Sequence, residues 1–332
     1  MTSLQVLPSI ERVVAHSRSV LFHQDRIAPA ITRWGHTAHP FQPWEHPCHF
    51  FDGTERTVRW IFTLDVLNHC FWPDPEQPAW SVLYQSAAFS GYWGLAAALK
   101  RALEQGLPIT EPRFLADISE AGLAEILSLH GPRHQAPHSP NEVPMLPERV
   151  KNLREAGSII LSELGGDVTN LFQAASGSAA GLAGLIVSHF PSFRDEASYE
   201  GQRVYFWKRA QIFVSDVYAA FSGKDWGRFD DIDRLTAFAD YKLPQVLREL
   251  GVLSYRPELA ARIAAMELLK AGSEEEVEIR AMTLWAVERL KEEFLRRGKA
   301  LTSPQIDNWL WGLGQRDDFR KEPYHRCRTI FY

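Results

Sequence analysis

Apolar residues recur at three- and four-residue steps through most of this chain, the period of helices that bury one face. From Ser9 to Phe22 the stripe is Ile10, Val13, Val14 and Leu21, with small Ser17 on the same side and Ser9 placed as a cap. A second helix is predicted over Asp25–Trp34. A nearly all-apolar, and therefore buried, helix follows over Arg59–Phe71, and an Ala- and Leu-rich one over Gly91–Glu104. Prolines make His36–Gly53 an ordered loop or hairpin. Further helices are predicted at Glu148–Leu164, Thr169–Phe190, Lys208–Phe221, Pro244–Leu250, Pro257–Lys270, Glu275–Arg296 and Pro304–Leu313. Only Tyr199–Trp207 reads as extended, a short hairpin at most. The expected architecture is all-α or nearly so, one large helical domain over 1–332 with a candidate lobe boundary at proline-rich Gly131–Pro147.

Composition narrows the class without changing that picture. With 332 residues, 45% hydrophobic and 23% charged, the chain can bury a large core. Aromatics make up 12%, more than packing alone needs, and such an excess suits a pocket for a flat ligand. The net charge of −5 argues against gripping a long phosphate backbone, though a ligand with one phosphate needs only a few local cations. Three cysteines, an odd number, imply no disulfide framework and a reducing compartment. The first residues carry no secretory pattern, and no apolar run approaches the ~20 residues that span a bilayer, so the expected address is the cytoplasm.

Phosphate-loop, dinucleotide-binding and nucleophile-elbow motifs are absent from the sequence. Gly177, Gly181 and Gly184 lie at helical spacing and suggest close helix packing. His46, Cys48, His49, His69 and Cys70 lack the paired short spacings of a zinc site, so no metal and no cofactor are expected. Asp65 and Asn68, three apart in the most apolar helix, share a face and need partners, either as a polar tie between helices or as a pocket floor.

The strongest local signal is the stretch from Asp231 to Pro244. Pro244 fits the first turn of a helix continuing as Gln245–Leu250, which sets Asp240 just ahead of that helix. Free amides and the helix dipole favour a negative charge there. On local grounds Asp240 is a cap, and it is also a fixed carboxylate flanked by Phe238 and Tyr241 beside a slot for a flat ring. In the last predicted helix Ser303 is the expected cap, and Ile306, Leu310 and Leu313 form the core stripe. Asp307 and Trp311, four apart, pair a carboxylate with an aromatic face on an adjacent stripe, which suits a flat cation. The aromatic segment Pro323–Tyr332 is expected to dock on the body.

Long stretches of the chain resemble the queuosine salvage protein family, the queuosine 5′-phosphate N-glycosidases: WIFTLDVLNHCFWPD at 60–74, GYWGLAAALKRALEQGLPIT at 91–110, KRAQIFVSDVY at 208–218, DDIDRLTAFADYKLPQVLRELGVLSY at 230–255, VEIRAMTLWAVE at 277–288 and PYHRCRTIFY at 323–332. The resemblance implies two packed helical lobes similar to helix-hairpin-helix DNA glycosylases, with the site between them. It implies Asp240 as the catalytic carboxylate and His49, Phe238, Asp307 and Trp311 as base-pocket residues. Lys208, Tyr241 and Lys242 are candidates for a 5′-phosphate, and Asp231, Asp65 and Asn68 are secondary candidates. The implied partner is a small nucleotide, with no direct tRNA binding and no membrane. Two competing readings are a non-catalytic queuine carrier and a glycosylase acting on polymeric nucleic acid.

Overall fold

The computed structural model describes residues 4–39, 44–130 and 142–332. Along the chain run α1 (Val6–His16), β1 (Val20–Phe22), α2 (Ile27–Trp34), α3 (Glu55–Leu67), β2 (Ser81–Tyr84), β3 (Ala87–Ser90) and α4 (Gly91–Glu104). Next come α5 (Pro112–Asp117), α6 (Glu120–Ile126), α7 (Leu146–Glu163), α8 (Asn170–Ala175), α9 (Ala179–His189), β4 (Glu196–Tyr199), β5 (Gln202–Tyr205) and α10 (Lys208–Ala220). The chain continues with α11 (Lys242–Glu249), β6 (Leu253–Tyr255), α12 (Pro257–Ala264), α13 (Glu274–Arg296) and α14 (Ser303–Leu313). The fold is mostly helical, with three two-stranded antiparallel sheets: β1–β6, β2–β3 and β4–β5.

Two groups of helices share one continuous core. Around α13 pack α1, α2, α11 and α14, so the first and last parts of the chain belong together. Around α3 and α10 pack α4, α7 and α9, while α5 and α6 lie on α7. The helices flanking Gly131–Pro147 thus touch each other, and residues 131–141 themselves lie outside the described residues. Helix α3 is buried on nearly every side, as its composition required: Phe62 sits among Phe190, Phe193 and Phe213 with ring centroids 5.1, 5.8 and 5.4 Å away. Two buried arginines close its end. Arg149 donates to the carbonyls of Leu67, His69 and Cys70, and Arg209 to those of Asp65 and Val66, satisfying acceptors the helix cannot pair itself.

Several boundaries differ from the periodicity, each for a tertiary reason. The first predicted helix stops at His16 because the buried Glu278 carboxylate on α13 draws in Ser17 Oγ, Arg18 N and Ser19 N at 3.0, 3.0 and 2.7 Å. Ser9 is inside α1 rather than its cap, donating to Val6 O. The long helix predicted over Thr169–Phe190 breaks at Ser176 and Gly177, both at positive φ (49° and 80°). Gly177 is therefore a turn residue; a Cβ at Gly181 would meet Ser178 and the Ala175 carbonyl that ends α8, and one at Gly184 would meet nothing within 4 Å. The close-packing glycine is Gly157, where a Cβ would lie 2.4 Å from Ala116 N on α5. Helix α14 is capped by Thr302 in a capping box with Gln305, not by Ser303. Helix α12 ends at Ala264, and Leu269 N beyond it bonds Arg326 O. The β2–β3 hairpin escaped notice because its turn, Gln85-Ser86 at φ 47° and 65°, lacks the usual Gly or Asn.

Candidate active site

The segment leading into Asp240 is buried and held residue by residue from three helices. Thr236 N donates to Gln211 Oε1 on α10 (2.8 Å), and Phe238 N to Asp307 Oδ2 on α14 (2.6 Å). Arg280 of α13 donates through Nε to Ala239 O (3.1 Å). Its two terminal nitrogens grip Asp195 at 2.8 and 2.5 Å, with the guanidinium between the rings of Phe206 and Tyr332. Asp195 in turn accepts from Lys208 N at the start of α10 (3.2 Å). At the end of this clamped strand Asp240 Oδ1 accepts from Lys242 N (2.7 Å) and Leu243 N (3.0 Å), the free amides that open α11. The capping carboxylate expected from the sequence is in place.

Asp240 faces a cavity of about 290 Å³ at the junction of the two helix groups. Its walls come from the residues after α3, the start of α4, one face of α10, the 238–242 turn, α14 and Tyr332. The cavity brings together His49, Asn68, Lys208, Phe238, Asp240, Tyr241, Lys242, Asp307 and Trp311. Two secondary candidates lie elsewhere. Asp231 caps α9, accepting from Ala179 N (2.5 Å) and Ser178 Oγ (2.8 Å), outside the lining. Asp65 is wholly buried beneath the floor, where its Oδ1 accepts from Asn68 Nδ2 (3.1 Å). The aromatic tail is docked, with Tyr332 buried, its carbonyl accepting from Cys70 N and its hydroxyl donating to Glu276 (2.8 Å).

Burial dominates the electrostatics. It pushes the Asp307 carboxyl well above the usual carboxylate range, helped by the neighbouring Asp240 and opposed by the Phe238 amide and Lys208. Asp65 is raised to about 7 by burial, against Asn68, Lys208 and Arg209. The Lys208 ammonium is lowered by burial although Asp240, Asp65 and Asp307 favour its charge. No described residue accepts a hydrogen bond from its Nζ, whereas Lys242 Nζ already donates to Gln245 Oε1 (2.8 Å).

His49 is the residue whose chemistry the fold changes. Its Nδ1 lies 2.9 Å from the Trp44 carbonyl, which only accepts, so Nδ1 carries the proton. Its Nε2 then accepts from Tyr92 Oη at 2.8 Å. The ring is stacked on Trp44 (centroids 3.7 Å, 17°), and burial lowers its pKa to about 4. In this arrangement His49 is a neutral imidazole with both nitrogens engaged, one by Trp44 and one by Tyr92. Among the described residues no three His, Cys, Asp or Glu are placed to share a metal, and His46 instead stacks on Trp93 at 3.6 Å.

Other lining residues escaped the sequence reading, chiefly Tyr92, Trp93 and Asp216. Asp216 did leave a signal, since it is a lone carboxylate in the apolar run of α10, the same pattern that drew attention to Asp65. Arg280 gave none, for its Asp195 partner is 85 residues distant.

Comparison with known proteins identifies the family. The profile of the family described as "Queuosine salvage protein" matches residues 48–332. A Sphaerobacter thermophilus protein named queuosine 5′-phosphate N-glycosylase/hydrolase is 45% identical over 329 residues, covering 99% of this chain and 98% of that protein. The Mus musculus protein of the same name is 36% identical over 96% of both chains, and that of Schizosaccharomyces pombe is 35% identical over 83% of this chain and 80% of its own. With the profile matched over residues 48–332 and a 45% identical relative aligned nearly end to end, this chain belongs to the queuosine salvage protein family.

Proposed function

We propose that this protein is an N-glycoside hydrolase that splits queuosine 5′-phosphate with water into queuine and ribose 5-phosphate. The observation that carries the reading is Asp240, held by two helix-opening amides and pointing into a cavity that also holds Phe238, Asp307 and Lys208. Its relatives' shared name supplies the substrate.

Breaking the bond from C1′ to the base leaves positive charge on the sugar, as in other glycoside hydrolyses. Asp240 is the carboxylate assigned to that charge, stabilising it and orienting the attacking water. Its second oxygen is free for this work, because both amides bond Oδ1. The leaving 7-deazaguanine has no N7 to protonate, so its developing negative charge needs donors elsewhere on the ring. His49, engaged at both nitrogens, is not that donor. Asp307 is better suited, since burial and Asp240 favour its neutral, proton-bearing form. Phe238 stacks on the ring, and Lys208, whose ammonium has no hydrogen-bond acceptor among the described residues, serves the phosphate. Three buried, unpaired cysteines and a net charge of −5 fit a cytoplasmic enzyme acting on a free nucleotide rather than on tRNA.

Mass spectrometry of the purified protein with queuosine 5′-phosphate tests this, with free queuine and ribose 5-phosphate as the expected products. Bound but uncleaved nucleotide would make it a carrier instead. The same assay with unphosphorylated queuosine measures the dependence on the phosphate, and modified tRNA tests the polymer reading.

A further inference from the structure

The reaction as described uses Asp240, Phe238, Asp307 and Lys208 of the cavity lining. The end of the cavity beyond Lys208 along α10 holds a group that the reaction leaves unexplained. Asp216 lines the cavity from α10, and its Oδ2 is shut away from solvent with no hydrogen-bond partner. Buried acceptors are almost always paired, because leaving one unpaired forfeits its hydration for nothing. Tyr92 Oη, in the same lining, does not relieve it, since it already donates to His49 Nε2.

Position along the helix separates the two ends. Lys208, Ile212 and Asp216 follow one another at four-residue steps on the cavity face of α10, so Asp216 lies about 12 Å further along the axis than Lys208. Burial pushes the Asp216 carboxyl well above the usual carboxylate range, with Asp65 and Asp307 acting in the same direction and Lys208 against it. In the wall of the same cavity Tyr92, Trp93 and Trp311 meet edge to edge, with centroids 5.0, 6.0 and 6.3 Å apart. Aromatic faces beside an unpaired carboxyl make a receptor for an organic cation that also donates hydrogen bonds.

Resting on the function proposed above, we propose that Asp216 binds the ammonium of the substrate's aminomethyl-cyclopentenediol arm, and so selects the modified base over plain purines. The base lies against Asp307 and Phe238, the sugar at Asp240, and the arm runs along α10 to Asp216 and the Tyr92–Trp93–Trp311 rings. The arm supplies the donor that Asp216 lacks. Asp216 makes no contact with the scissile bond; its role is specificity.

The test measures binding of three free bases by calorimetry: queuine, 7-aminomethyl-7-deazaguanine, which keeps the ammonium, and 7-hydroxymethyl-7-deazaguanine, which replaces it with a neutral donor. Wild type should bind the aminomethyl base at least tenfold more tightly than the hydroxymethyl base. Asp216→Asn should weaken queuine and the aminomethyl base about ten- to hundredfold and leave the hydroxymethyl base nearly unchanged. Equal affinity of wild type for the two small bases overturns the proposal whether or not the variant folds, and so does an equal loss for all three bases in Asp216→Asn. A wild type that binds none of them, and releases no queuine from the nucleotide, sinks the functional reading itself.

Discussion

Replacing Asp240 by Asn separates its two duties, cap and reactant. In the folded protein Oδ1 accepts from Lys242 N at 2.7 Å and Leu243 N at 3.0 Å. An Asn amide oxygen can accept both, and Asn and Asp are nearly equal as caps. What disappears is the charge at the helix start, worth about 0.3–1 kcal/mol. In a chain of this size that moves Tm by roughly 2 °C or less. The chemical loss should be far larger. Removing a preorganised electrostatic partner of the transition state costs on the order of 10²–10³ in rate, and positioning of the water adds to it. We expect kcat to fall at least 10³-fold, about 4 kcal/mol. Affinity for queuine should change little, because the base meets Phe238 and Asp307. Single-turnover release of queuine, calorimetry with queuine and thermal unfolding measure the three quantities on one preparation. A kcat within tenfold of wild type would refute the assignment. A stability loss above about 3 kcal/mol alongside lost activity would show that Asp240 acts mainly as a cap.

Three further expectations follow from particular contacts. Asp307→Asn keeps an acceptor for Phe238 N, whereas Asp307→Ala leaves that amide unpaired in a buried segment. Denaturant titration should show the Ala variant about 1–3 kcal/mol less stable than the Asn variant, while both lose base affinity; equal stability would refute the role of the contact. For pH, His49 has a folded pKa near 4 against 6.5 ordinarily, so the unfolded chain takes up a proton between those values that the fold refuses. Stability is therefore full above about pH 6.5 and falls as pH drops toward 4, with His69 and His325 acting in the same direction. His49→Gln should reduce the loss between pH 7 and 5 by on the order of 2 kcal/mol, and an unchanged pH dependence of the urea midpoint would contradict the burial argument. Arg280→Met strands Asp195 without its partner and frees the Ala239 carbonyl. It should cost about 3–5 kcal/mol and lower kcat with it; a variant of wild-type stability would count against the clamp.

What the sequence determined unaided are features settled within a few residues. Helices α4, α10, α13 and α14 lie close to where periodicity placed them, since side chains three or four apart share a face whatever surrounds them. Asp240 was legible as a cap for the same reason, its partners being two and three residues on. Tertiary structure alone decided the rest, because a buried polar group takes its role from partners that folding brings to it. Glu278 ends α1 from about 260 residues away, and Asp231 restarts the chain at α9 from 52. Tyr92, 43 residues from His49, engages the second nitrogen of that base-pocket candidate and makes it an acceptor. Asp307 reads in the sequence as a pocket carboxylate, yet it also fixes the backbone of Phe238, 69 residues earlier. The chemistry of the cavity depends on such distant pairings, which no local pattern records.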